Sequence, residues 1–162
     1  MHQKEPINSG AIRDYYAEQG TMTDPGPYGY LFDALPPDPS ALCAIIHGVM
    51  AINLWIDLGI LQVSKDRHQE WQIRSVKGKL RHILAIDARP LDIARPFEQR
   101  FLGTCRDISL LLCAALRHHG IPARLRVGFD HWGLERHDHW ICEHWSPGSQ
   151  RWVRVDPYLH QV

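Results

Sequence analysis

The 162-residue sequence has no excess of either charge: 18 Lys and Arg stand against 18 Asp and Glu. That excludes the strongly basic footprint of a nucleic-acid binder, and no nucleic-acid partner is expected. An apolar run of membrane-spanning length is missing too. The longest, ALCAIIHGVMAINLWI, is interrupted by His47 and Asn53 and is shorter than the ~18 residues a spanning helix needs. The opening MHQKEPINSG has no hydrophobic leader core, so no membrane attachment is expected and a cytoplasmic location is. Cysteine is scarce, at positions 43, 105, 113 and 142. Without export these are expected as reduced thiols, not a disulfide framework. No C-x-x-C pair suggests structural zinc, and no calcium loop of the EF-hand kind is present. Internal repeats and low-complexity runs are also lacking.

What remains is an ordinary globular composition, 44% hydrophobic and 22% charged, in a chain long enough for one domain with a proper core. Its texture changes near residue 100. Before that point the patterns are mostly helical. SGAIRDYYAEQG is a short helix stopped by Gly20, and DPGPYGYLFDALPPDP is a loop or turn segment. Asp38 caps a helix with Pro39 at its first position, whose stripe of Leu42, Ile45, Ile46, Val49 and Ile52 runs toward Gly59. Another helix is predicted from about Ile73 to Ile86, with Val76, Leu80, Ile83 and Leu84 on one face. DARPLDIARPFEQR is a long loop, of a length that tends to be functional.

Beyond residue 100 the order is helix, strand, strand, strand. Thr104 and Asp107 have the spacing of a capping box, which makes Cys105 the first residue of an apolar helix ending at Gly120-Ile121-Pro122. Its sulfur would sit among free N–H groups at the positive end of the helix dipole, where a thiolate is favoured. ARLRVGF alternates Ala123, Leu125, Val127 and Phe129 inward against Arg124 and Arg126. HDHWICEHW and RWVRVDPYL, joined by Ser-Pro-Gly-Ser, form an antiparallel hairpin. A buried helix on an antiparallel sheet makes an α+β domain. The tryptophans at 132, 140, 145 and 152 are mostly sheet packing.

A cysteine at a helix start, followed by histidine and acid on neighbouring strands, is the order of a nucleophile, a general base and an orienting group. A free thiol near pKa 8.5 is only a few per cent ionised at neutral pH, and the helix dipole offers up to about 2 kcal/mol. A histidine must therefore help to activate it and deliver a proton to the leaving group.

GTCRDISLLLCAALRHHGIPARLRVGF, then HWICEHW, then RWVRVDP resemble the transglutaminase-like cysteine superfamily, and the wider chain resembles a bacterial subgroup of it. The resemblance implies a papain-like core with Cys105 as nucleophile, His139 as base and Asp156 as third member. It implies one domain over 1–162, with a helical part at 1–95 and a catalytic core at 96–162. The implied chemistry is acyl transfer or hydrolysis at a peptide, protein or small-molecule amide, less readily a thioester, with an amine as a conceivable acceptor. No cofactor is required. The backbone N–H of Cys105, free at the helix start, would serve the oxyanion.

Other readings compete. His137 shares a strand face with His139; the resemblance favours His139, which stands four residues before Glu143 as in the family pattern, and it also lies deeper in the strand. His137, His139 and Glu143 on that face could hold a metal. The same fold could also be a binding module without catalysis. Cys43, Cys113 and Cys142 read as buried packing residues.

Overall fold

The computed structural model describes residues 9–132 and 135–159, and the side chains of His131, Trp132 and Glu135 lie outside that description. Helix α1, Ser9–Ala17, ends before Gly20, and the Gly/Pro-rich stretch after it winds into a 3-10 turn, Gly26–Phe32, that buries Phe32. Helix α2, Pro39–Val49, opens on the expected cap, with the Asp38 carboxylate accepting the Ala41 N–H at 2.8 Å. It does not reach Gly59. Met50–Ile52 leaves the helix as strand β1, and a short helix α3, Asn53–Asp57, precedes Gly59. Strand β1 pairs in parallel with β2, Phe101–Gly103. A short apolar run suits a buried strand as well as a buried helix, and only its distant partner decides between them.

The helix expected from Ile73 begins at Val76 (α4, Val76–Ile86), because Ser75 Oγ accepts the Gly78 N–H at 3.2 Å and caps it there. A 3-10 segment, Lys65–Gln72, precedes it. The long loop after α4 is held by one buried side chain. The Arg95 guanidinium donates to the carbonyls of Asp87, Arg89, Pro90 and Ile93, so the loop is fixed where it leads into β2. Buried Glu70 anchors β2 by accepting the Leu102 N–H at 2.7 Å.

Helix α5, Cys105–His118, is the axis of the fold, with every residue from Asp107 to Leu116 buried. Such burial all round marks a central helix. The capping box forms as predicted, with the Asp107 carboxylate accepting the Thr104 N–H at 2.9 Å. Gly120, at φ 71°, ends the helix by a left-handed turn that favours glycine.

The chain then forms the antiparallel sheet β3-β4-β5: Ala123–Trp132, Glu135–Ser146 and Arg151–Val155. Ala123, Cys142 and Val155 pack in the same core as Phe32, Leu42, Ile46, Leu80 and the α5 leucines, so both parts of the chain share one interior. The expected α+β architecture is observed. Two inward assignments on β3 are not: Val127 is 59% and Phe129 76% exposed. Alternation gives the face of a strand but not whether anything covers it, and this stretch of β3 is left uncovered. Among the described residues no helix is long and apolar enough to cross a membrane.

Candidate active site

Three chain segments bring the predicted residues to one place. Strand β2 and its cap deliver Cys105 to the start of α5. Strand β4 carries His139, and the chain leaving β5 carries Asp156. Register explains why this place stays open. The last β5 pair is Val155 with Cys142, so β4 from Ile141 back toward its start has no β5 neighbour. The first turns of α5 use that edge instead. Ser109 Oγ donates to the Trp140 carbonyl at 2.9 Å, and the Trp140 and Arg106 backbone N–H groups reach toward the Cys105 sulfur.

At Asp156 the chain turns away, and both carboxylate oxygens are occupied. Oδ2 lies 2.6 Å from His139 Nε2. Oδ1 accepts the N–H groups of Tyr158 at 3.0 Å and Leu159 at 3.3 Å. With Nε2 facing a carboxylate, the neutral ring keeps its proton there and leaves Nδ1 as the acceptor. The Tyr158 ring meets the imidazole edge to face at 5.6 Å, and its hydroxyl donates to Asn53 Oδ1 at 3.2 Å. Imidazole and carboxylate are each mostly buried, 14% and 13% exposed. That sheltering strengthens their interaction.

Cys105, His139 and Tyr158 line one cavity of about 580 Å³, together with Trp71, Arg74 and Asp138 among others. Among the described residues no hydrogen bond joins the thiol to the imidazole. His137 lines the same cavity, but Asp156 is bonded to His139. Glu143 is taken up by arginines. It is buried against Arg124 at 2.9 Å, with Arg154 and Arg126 at 3.6 and 3.8 Å. Among the described residues no group of three potential metal ligands converges.

One expectation is corrected. The thiol of Cys105 is not held down by the helix end; it is pushed up from its ordinary value. Burial is the main cause, and the carboxylates of Asp138 and Asp107 add to it, outweighing the N–H groups of Trp140 and Arg106. The capping acid that starts the helix is itself a negative charge near the sulfur. The resting group is thus a thiol. Burial also pushes Cys43 up to about 12, while Cys113 and Cys142 are fully buried, as expected of packing cysteines.

Two residues were missed from sequence. Tyr158 follows an Asp-Pro turn and gave no periodic signal. Lys79 did: it stands at the third position after Val76 in a Val76, Leu80, Ile83 stripe, a charge on an apolar face.

Residues 64–157 match the family model described as the transglutaminase-like superfamily. No curated protein matches the chain. Among solved structures, the periplasmic domain of TgpA from Pseudomonas aeruginosa is similar, with a TM-score of 0.52 and 16% identity over 95% of this chain and 49% of that one. The chain thus spans about half the length of that structure. The likeness is one of fold, and it overturns the expected cytoplasmic location, because a domain of this fold resides in the periplasm. That expectation rested on the lack of a hydrophobic core in the first ten residues, which is not a property of the fold.

Proposed function

The chain belongs to the transglutaminase-like superfamily, and on that premise we propose that it is a cysteine-dependent acyltransferase or hydrolase acting on amides. Cys105 Sγ attacks the carbonyl carbon while His139 Nδ1 takes the thiol proton. The C–N bond then breaks, the imidazolium returns the proton to the departing amine, and a thioester remains on Cys105. Water or a second amine attacks this thioester, giving a proton to His139. The thiolate leaves and recovers that proton. The N–H groups at the start of α5 stabilise the oxyanion. Asp156 keeps the ring in the productive tautomer and supports its positive form. Residues 1–95 and 96–162 act as one unit in this reading, since α2 and α4 pack on the nucleophile helix.

The single observation that carries the reading is the 2.6 Å contact of Asp156 with His139, whose side chain lines the same cavity as Cys105. A thiol raised by burial needs such a base close by. The same raised thiol also favours a second reading, a binding domain of this fold without turnover. Incubation with a p-nitrophenyl ester as acyl donor, followed by intact mass and peptide mapping, separates the two. An acyl adduct on Cys105 that hydroxylamine or water discharges, absent from Cys105→Ser, is expected. No adduct at any pH between 6 and 9 would leave the binding domain.

A further inference from the structure

Lys79 on α4 is the most deeply buried cation near the site, with its side chain 0% exposed. All three ammonium protons are used. They go to the Ile73 carbonyl, to the Arg74 carbonyl at 3.2 Å, and to Asp107 Oδ1 at 3.1 Å. Asp107 is equally sequestered, 1% exposed. It also accepts the Thr104 N–H at 2.9 Å and the Thr104 hydroxyl at 2.8 Å, and meets Arg106 at 3.1 Å. One ammonium therefore ties the cavity wall at Arg74 to the residues immediately around Cys105.

Stability does not explain such a pair. Removing two charges from water costs several kcal/mol per ion, and apolar replacements are often neutral or stabilising. Position explains it better. Asp107 is needed to cap α5, yet its carboxylate disfavours a thiolate beside it. A cation paired with that carboxylate relieves the conflict.

We propose that Lys79 is a positioning residue for the nucleophile, compensating the Asp107 charge so that one carboxylate caps α5 without suppressing ionisation of Cys105. This rests on the reading of Cys105 as the nucleophile. Other charged or titratable groups line the same cavity: Asp57 on α3, Arg74 before α4, Arg106 on α5, Asp138, His137 and His139 on β4, and Tyr158 after β5. Of these only Arg106 and Arg74 carry positive charge independent of pH, and both are more exposed to water than Lys79, which weakens their effect.

The test is the pH dependence of Cys105 alkylation by iodoacetamide in the full chain, read by peptide mass. Lys79→Met is expected to cut the rate at pH 8 about tenfold, an upward shift of about one pH unit in the midpoint. Asp107→Asn should move the midpoint the other way, and the double variant should return within about threefold of the parent rate. A purely structural lysine predicts a different pattern, with melting temperatures falling in both single variants and further in the double, and no midpoint moving. That pattern would overturn the proposal, as would a double variant no faster than Lys79→Met. If Lys79→Met does not fold, Asp107→Asn decides alone: an unchanged midpoint refutes the assignment. Alkylation reads the thiol whether or not an acyl-enzyme forms, so this failure is distinct from failure of the proposed reaction.

Discussion

Replacing Asp156 by Asn tests the site at its best-defined contact. The carboxylate serves two masters, with Oδ2 on His139 Nε2 and Oδ1 on the Tyr158 and Leu159 N–H groups. An amide can satisfy only one. If its oxygen stays with the two N–H donors, its NH₂ faces the imidazole and forces Nε2 to accept, which moves the ring proton to Nδ1. The ring can then no longer take the thiol proton. If the amide flips, its NH₂ confronts two N–H groups, and their loss of a partner costs about 1–3 kcal/mol of stability. The first arrangement is therefore expected. An acid-to-amide change that fixes the wrong tautomer lowers kcat by about 10⁴ in a serine triad, which corresponds to about 5 kcal/mol at 1.36 kcal/mol per decade. Because a thiol ionises more readily than a hydroxyl, a fall of about 10²–10⁴ is expected here. The assay is the rate of Cys105 acylation by the p-nitrophenyl ester at pH 7, paired with a thermal melt. Losing one charged hydrogen bond, about 1.5–3 kcal/mol, lowers the melting temperature by several degrees in a chain of this size, at ~2–4 °C per kcal/mol. A folded Asp156→Asn protein that acylates at the parent rate would refute the role given to Asp156 and reduce it to a turn residue.

His139→Ala should abolish Cys105 acylation while His137→Ala changes it by less than about tenfold; the reverse result in the same ester assay would move the base to His137. Native alkylation should begin at Cys105 and accelerate above pH 8, because a raised thiol stays protonated at neutral pH and ionises only as pH climbs past its ordinary value. Cys43, Cys113 and Cys142 should react only in denaturant, and early labelling of any of them would contradict their burial. Gly103→Ala should destabilise by about 1–3 kcal/mol through overpacking, since a new Cβ would lie 2.4 Å from Met50 Cε and 3.1 Å from Asp107 Cβ; a urea midpoint equal to the parent's would show that Met50 swings aside freely.

The parts of the fold legible in the sequence were those governed by local chemistry. The Asp38 cap, the Thr104–Asp107 box, the Gly120 stop and the order of the three strands all depend on neighbours a few residues apart. The β1–β2 pair was not legible, since Met50–Ile52 becomes a strand only because Phe101–Gly103 lies beside it. Exposure of Val127 and Phe129 was hidden for a related reason: alternation is a property of one strand, and cover is a property of everything else. At the site, the positions of Cys105, His139 and Asp156 could be named in advance, whereas the state of the thiol could not. Free N–H groups at a helix end favour a thiolate, but the burial that those same groups share weighs more. Lys79 is visible as an anomaly in an apolar stripe, but Asp107 reads as a cap, and nothing in the sequence shows one carboxylate doing both.

The early end of β5 bears on how this protein could evolve or be engineered. A bare sheet margin usually invites another strand, and with it self-association. Here the stretch vacated after Val155 is occupied by the beginning of a helix, which satisfies the margin without closing it. The reach of the last strand is thus a ruler for access to the sulfur. Two more residues in register, Asp156 and Pro157, would face Ile141 and Trp140 and displace Cys105 and Ser109 from that margin, closing the cavity within the same fold. The end of β5 at Val155 thus does two things at once: it leaves the cavity open, and it frees Asp156 to turn toward His139.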